Sequence, residues 1–505
     1  MGDSPLTIEG SLALAGTGPA ISVRVASDSL DLGPAVRAAL PDTLQAAFDS
    51  LAPAGRVRLD LNYEQPTRPT AATQPAPPGL RGAEVKYTAL VEPMGCRLRL
   101  ARLPLELEDV GGKVVLTPDG ISIERLTARH GPTSIQMAGR ITTHDDRVDV
   151  RISRLEAHDL RFEEELRQAG PWRLRRMWND FQPAGACDLV LKDLVLTSGP
   201  NARRTWRTRG SLHLNQAAFS AGPRFTDVTG TFEGEAGYDD TFQVDARLDL
   251  KQARVDGRLL TDATARLHRA AGASTLLIGD ILGTLYNGAV LGQVEVDYVT
   301  APASYGLNLT ARNVSLEEFL NARRQPDETP VRLKGRIQGT LSLTGQFDRP
   351  ASRQGSGSIL VQEAQMLKVP MVLAILQIIH FAVDDDNAFH DALVDYMIDG
   401  DEVILDRIDL RGKALSMAGA GHVQVPGLGM HLVLLVGSPL KLPEVAVLSE
   451  LVEGVARELM EVHVEGTLDQ PVFRADIVRS VRRTLEAMTS VRVERVTPGK
   501  PNRKE

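Results

Sequence analysis

Few stretches of this chain gather side chains that could do chemistry. The densest is DDDNAFHD at 384–391, where carboxylates surround His390 closely enough to suggest a divalent cation. It lacks the alternating ligands and the turn glycine of a calcium loop, so it reads as a solvated connection. The acids of FEEEL at 162–166 sit where the first turn of a helix favours negative charge. Ten histidines are scattered, with no H-x-x-x-H or H-E-x-x-H spacing to hold catalytic zinc. Cys96 and Cys187 define neither a disulfide framework nor a metal knuckle. There is no G-x-S-x-G, Walker loop or dinucleotide fingerprint, and GSGS at 355–358 is too short to cradle phosphate and reads as a strand entry. We therefore expect no enzyme, no catalytic residue, no metal and no cofactor. A formal charge of -8 argues against nucleic acid as a partner. A carbohydrate-active β enzyme would need acids and aromatics on one sheet face, and aromatics are only 4% of the chain.

What the chain does offer is aliphatic surface. Hydrophobic residues make up 43%, almost all Val, Leu, Ile and Ala, and 505 residues exceed what one ordinary core holds. Internal repeats supply the organisation. LSLTGQFDRP (341–350) and VHVEGTLDQP (462–471) each run from an alternating strand through Gly to Asp-x-Pro, which ends a strand. In a longer unit, Ile121, Ile123, Arg125 and Leu126 match Val403, Leu405, Arg407 and Ile408. After a turn, Ile135, Met137, Ala138 and Gly139 match Leu415, Met417, Ala418 and Gly419. Both copies predict a β-hairpin. Asp109, Val110 and Gly112 recur as Asp227, Val228 and Gly230. A further element, seen at 26–36, 156–166 and 310–320, places Ser29, Asp159 and Asn313 where a strand gives way to a short helix, as a cap requires.

The expected fold is mainly β: an elongated repeat of twisted antiparallel strands forming a curved groove, with short helices at repeat junctions. About 25–30 strands at ~4.8 Å each would extend ~100 Å or more. A partial N-terminal repeat occupies 1–63, a Pro-rich loop without regular structure 64–82, and further β-repeats 83–200 and 201–350. A C-terminal region with helices follows at 351–488, then a disordered tail at 489–505. The inward alternates expected to floor the groove are Ile135, Met137, Leu341, Leu343, Val423, Val425, Leu432, Leu434, Val462 and Val464, although a one-residue slip would invert the face.

Several segments read first as packing and second as membrane contacts. The longest apolar run, 371–383, is interrupted by Gln377 and His380 and is too short to span a bilayer. Its Leu373, Ile375, Leu376 and Ile379 suit either burial against the sheet or a position at a membrane interface. Residues 444–460 predict a one-sided amphipathic helix. Residues 475–488 predict another, with Arg479, Arg482 and Arg483 available to anionic headgroups. Trp172 and Trp178 flank arginines in PWRLRRMW and have the same two readings.

The strand-Gly-strand hairpins, VGGKVVLTPDGISIERLTARHG, and the ending that runs from GSGSILVQEAQMLKVPMVLAIL through DGDEVILDRIDLRG and LPEVAVLSEL to VHVEGTLDQPVF together resemble the AsmA-like family of bacterial envelope proteins, above all its C-terminal region. The resemblance covers most of the chain and rests on a diffuse pattern with few fixed side chains. It implies a hydrophobic β-groove that takes phospholipid acyl chains, transport between membranes, a part in outer-membrane biogenesis, and contact with bacterial membranes and other envelope proteins. It also implies a periplasmic place and an inner-membrane anchor. The sequence opens inside a repeat at LTIEGSL, so upstream repeats and an anchor are expected to precede it, the alternative being a freely soluble member of the family. The rival expectation is a scaffold of the envelope whose sheet closes on a dry core.

Overall fold

A computed structural model describes residues 4–477 apart from 15–18, 41, 66–85, 100–105, 145–146, 170–174, 176–177, 180, 200–202, 221–222, 300, 323, 325–329, 331–333, 363–389, 413–415, 426, 428, 438–459 and 468–470. The protein is mainly β. Among the described residues 24 strands form open antiparallel sheet, and the chain divides into two compact units, Met1–Ala253 with Arg269–Ala273, and Arg254–His268 with Ser274–Glu505.

The first unit contains β1 (Thr7–Leu14), β2 (Pro19–Asp31), β3 (Arg56–Gln65), β4 (Lys86–Arg99), β5 (Glu106–Thr117) and β6 (Gly120–His130). It continues with β7 (Thr133–His144), β8 (Arg147–Arg161), β9 (Ala184–Ser198), β10 (Thr205–Ser220), β11 (Arg224–Asp239) and most of β12 (Thr241–Val255). From β1 to β11 each strand pairs antiparallel with its neighbour in sequence. Three short helices, α1 (Pro34–Ala39), α2 (Asp42–Leu51) and α3 (Glu164–Ala169), follow β2 and β8, where the repeated junction element predicts them. Glu164 and Glu165 open α3, and hydrogen bonds from Arg167 and Gln168 hold the Glu164 carboxyl down at about 2.

The second unit contains β13 (Arg258–Arg269) up to His268, β14 (Thr275–Leu285), β15 (Gly288–Asp297), β16 (Ser304–Ser315), β17 (Arg336–Gln346) and β18 (Arg349–Gln362). After these come β19 (Asp391–Asp399), β20 (Glu402–Arg411), β21 (Ser416–Gln424), β22 (Gly429–Gly437), β23 (Met460–Thr467) and β24 (Pro471–Ile477), paired in the same sequential way. The helix α4 (Leu316–Asn321) follows β16, with the Ser315 hydroxyl accepting from the Glu318 amide at its start. The first repeated decapeptide runs from β17 across a turn into β18, and the second begins in β23 and ends at the first residue of β24. Gly345 and Gly466 lie inside β17 and β23, and the GSGS run lies inside β18 rather than at its entry.

The repeated acidic positions have a different cause from the one the sequence suggests. Asp159 and Asn313 do not cap helices. They sit in left-handed backbone (φ 52 and 57) inside β8 and β16, where the ladder slips register, and Ser29 lies in the matching slip between β2 and β3. Asp109 and Asp227 do the same in β5 and β11 (φ 51 and 53). Asp and Asn tolerate this conformation because their short polar side chains bond locally. A bulge re-aims the residue after it. Val110, Val228 and Val314, each next after such a residue, are at most 1% exposed. This is the physical content of the repeated Asp-Val pair.

Around these bulges the first unit buries Val57, Cys96, Val110 and Ala128, with Leu30, Leu98 and Ile135 packed against them. Both thiols are sealed. Cys96 donates to Arg56 O at 3.0 Å, while burial, with Asp188 adding, pushes the Cys187 thiol up to about 11. A thiolate is the reactive form, so neither cysteine is expected to react with an aromatic disulfide reagent at pH 8 until urea unfolds the chain. Stoichiometric labelling of the native protein would contradict this burial.

Candidate functional site

Residues directly opposite one another in an antiparallel ladder share a sheet face. In the first unit this register places Val25, Leu61, Ala89, Leu116, Ile121, Ile141, Val150, Leu196, Trp206 and Tyr238 in one continuous row across β2 to β11. A second row beside it runs through Leu59, Val91, Val114, Ile123, Gly139, Ile152 and Leu194. Arg24, Asp60 and Asn62 alternate with these residues and take the other face, where Arg24 pairs with Asp60 at 2.7 Å. The first row is only partly covered. Ala89 is buried, Leu196 is exposed, and the other members are half-buried.

The second unit has the same design with glycine built in. One row reads Ile278, Val294, Leu307, Leu343, Gly355, Ile398, Val403, Val423 and Met430, and the next reads Ile281, Gly292, Leu309, Leu341, Gly357, Tyr396, Leu405, Gly421, Leu432, Val464 and Phe473. In several couples a leucine lies across the glycine opposite it. A Cβ at Gly292 would meet the Leu309 side chain at 2.6 Å, one at Gly419 that of Leu434 at 2.5 Å, and one at Gly421 that of Leu432 at 2.7 Å. The first unit repeats the device at Gly139 with Ile152. Laid flat, these branched side chains make a low aliphatic surface with few polar atoms. Such a surface can shelter an apolar chain.

The sequence-derived floor residues divide into two environments. Ile135 and Met137 on β7 and Leu341 and Leu343 on β17 are half-buried members of the apolar face. Val423, Leu432, Leu434, Val462 and Val464 belong to a packed cluster with Met417, Met430 and Val436, and Val462 and Val464 are 0% exposed. Val425 lies past the end of β21, is exposed, and lines a small acidic pocket with Asp399, Asp401 and Glu402. The apolar face thus passes from half-open at β17 to filled at β22 and β23. β22 is buried on its other face as well, through Val433 and Leu435.

Among the expected membrane contacts, Trp178 packs edge-on to Phe162 at 5.7 Å, the packing reading. Trp172, Leu373, Ile375, Leu376, Ile379, Arg479, Arg482 and Arg483 lie outside the described residues, as does the helix expected at 444–460 except for Met460. Ala475–Ile477, read from sequence as the start of a helix, instead completes β24, because Ala475 pairs with Val462. Glu64 and Gln65, assigned to the Pro-rich loop, complete β3. Among the described residues no helix is long and apolar enough to cross a membrane.

Sequence reasoning missed the first-unit row, although its alternation is plain in SVRV (22–25) and RLDLNY (58–63). It also missed that His422, His431 and His463 share one face of three neighbouring strands. Fold and face together define an open antiparallel β-repeat with one largely apolar side. Comparison with known families, curated proteins and solved structures returns no match.

Proposed function

We propose that the chain is a non-enzymatic, AsmA-like protein of the bacterial cell envelope whose apolar sheet face carries phospholipid acyl chains between membranes and so serves outer-membrane biogenesis. The observation that supports this reading is the half-exposed row from Val25 to Tyr238, a continuous apolar track that alternates with charged residues such as Arg24 and Asp60 on the opposite face. At ~0.8 kcal/mol per CH₂, a sixteen-carbon chain fully exposed to water costs on the order of 12 kcal/mol. A flat aliphatic track lowers that barrier along its whole length without supplying energy, so direction must come from partners. In this reading the chain works in the periplasm at the inner membrane and meets phospholipid and other envelope proteins.

A second reading has its own observation. The filled cluster around Val462 and Val464 is what a scaffold with a dry core would have. The two readings separate by native mass spectrometry and lipid extraction on protein purified from a bacterial host in mild detergent. Phospholipid is expected to co-purify, and Ile121→Asp with Val150→Asp, at half-buried positions, is expected to reduce it about tenfold while the circular dichroism stays native. A folded wild-type chain free of lipid would overturn the transport reading and leave the scaffold.

A further inference from the structure

We propose that His431, His463 and Glu465, with His422 beside them, form a binding site for a divalent transition metal of the zinc class on the sheet face opposite the apolar rows of the second unit. The register puts them together. His431 on β22 stands directly opposite both His422 on β21 and Glu465 on β23, and His463 precedes Glu465 by two residues on the same face. Two ligands on alternate positions of one strand and a third on the neighbouring strand make a triangle that a tetrahedral metal can cap, leaving a fourth position for water.

The side chains are already close to that arrangement. His431 Nδ1 lies 3.6 Å from Glu465 Oε1. Zinc–ligand bonds of ~2.0–2.2 Å place neighbouring tetrahedral ligands ~3.3–3.5 Å apart, so these two stand near ligand spacing. The His431 ring centroid is 6.3 Å from that of His463 and 5.6 Å from that of His422. Glu461 holds His463 Nε2 at 2.7 Å, which leaves Nδ1 as the free donor and supplies the orienting carboxylate that metal-bound imidazoles usually have. Among the described residues no three such side chains already stand placed to hold a metal. Metal binding at the proposed site requires His422 to turn toward His431 and Glu465, or His463 to turn and re-form its bond to Glu461.

The strands beneath are closely packed. Val433 and Leu435, on the same face of β22, are 2% and 1% exposed, and Val462 and Val464 fill the face behind. Ligands carried on buried strands hold their spacing better than ligands on loops. The electrostatics favour a cation: Glu461, Glu465 and Asp476 face the cluster from β23 and β24, against Arg474 opposite His463. Imidazole with a single carboxylate selects zinc, nickel or copper over calcium or magnesium.

The test uses tag-free full-length protein stripped with chelator, titrated with Zn²⁺ by calorimetry and with Co²⁺ by visible absorption. One site is expected with a Kd on the order of micromolar and the intense bands of four-coordinate cobalt. His431→Gln is expected to weaken binding about tenfold or more, Glu465→Gln to weaken it less, and His390→Gln to leave it unchanged, all with native circular dichroism. Absence of binding tighter than ~100 μM, or binding indifferent to His431→Gln, would overturn the site. Zinc and lipid are read out separately, so the fate of one proposal does not decide the other.

Discussion

Val464→Asp is expected to unfold the C-terminal strands of the second unit. Val464 is 0% exposed, with Leu432 opposite it on β22, Phe473 opposite it on β24, and Val462 beside it, also 0% exposed. An aspartate there must either carry a charge into an aliphatic cluster or take up a proton, and no hydrogen-bonding partner replaces the water it loses. The cost is ~4–5 kcal/mol, against ~2 kcal/mol for Val464→Ala, which only leaves a cavity. Leu343→Asp makes the informative contrast. Leu343 faces the same side of the sheet but is half-buried, so its carboxylate keeps access to water and the cost falls to ~1–2 kcal/mol. Urea titration followed by circular dichroism measures both. Hydrogen exchange over β22 to β24 should rise sharply for the first variant and little for the second. Equal losses would mean that the half-open and filled stretches of this face are one environment, and the distinction between floor and core would be lost.

That distinction marks the limit of what the chain discloses without its fold. The hairpins were legible, because ISIERLTARHGPTSIQMAGRI alternates with period two across a Gly-Pro turn, and β6 and β7 follow it. The helices at the repeat junctions were legible too, although the reason given for Asp159 and Asn313 was wrong. A helix cap and a left-handed bulge both call for a short polar side chain that bonds its own backbone, so residue type alone cannot separate them. Only the pairing of Asp109 with Val110 and of Asp227 with Val228, away from any helix, points to the bulge. Openness of the face was not legible at all. Leu343 and Val464 occupy matching places in the repeated decapeptides, yet one is half-buried and the other sealed. Alternating Val and Leu describe a strand with one dry face and say nothing of what covers it. The histidine cluster was hidden for a related reason. His431 and His463 lie on strands that the ladder makes neighbours, and no local spacing encodes that contact.

Gly112→Ala is expected to destabilise the first unit by ~3 kcal/mol. Gly112 follows the Asp109 bulge in β5 and has φ 129, a conformation that L side chains rarely adopt. A Cβ at this position would collide with the Arg125 carbonyl oxygen and press on Leu126 Cα at 3.0 Å, and both belong to the backbone of β6. No rotamer change relieves such a contact; the β5–β6 ladder itself must part. Gly95 separates the two sources of cost. It also has a positive φ, 69, but nothing lies within 4 Å of the Cβ it would gain. Gly95→Ala therefore carries only the left-handed penalty, ~1–2 kcal/mol. The expected pattern is a larger drop in urea midpoint for Gly112→Ala, with loss of amide protection concentrated in β5 and β6. If both variants lose the same stability, close approach of the two backbones is not what demands glycine at Gly112, and the recurrence of Gly230 after Val228 needs another cause.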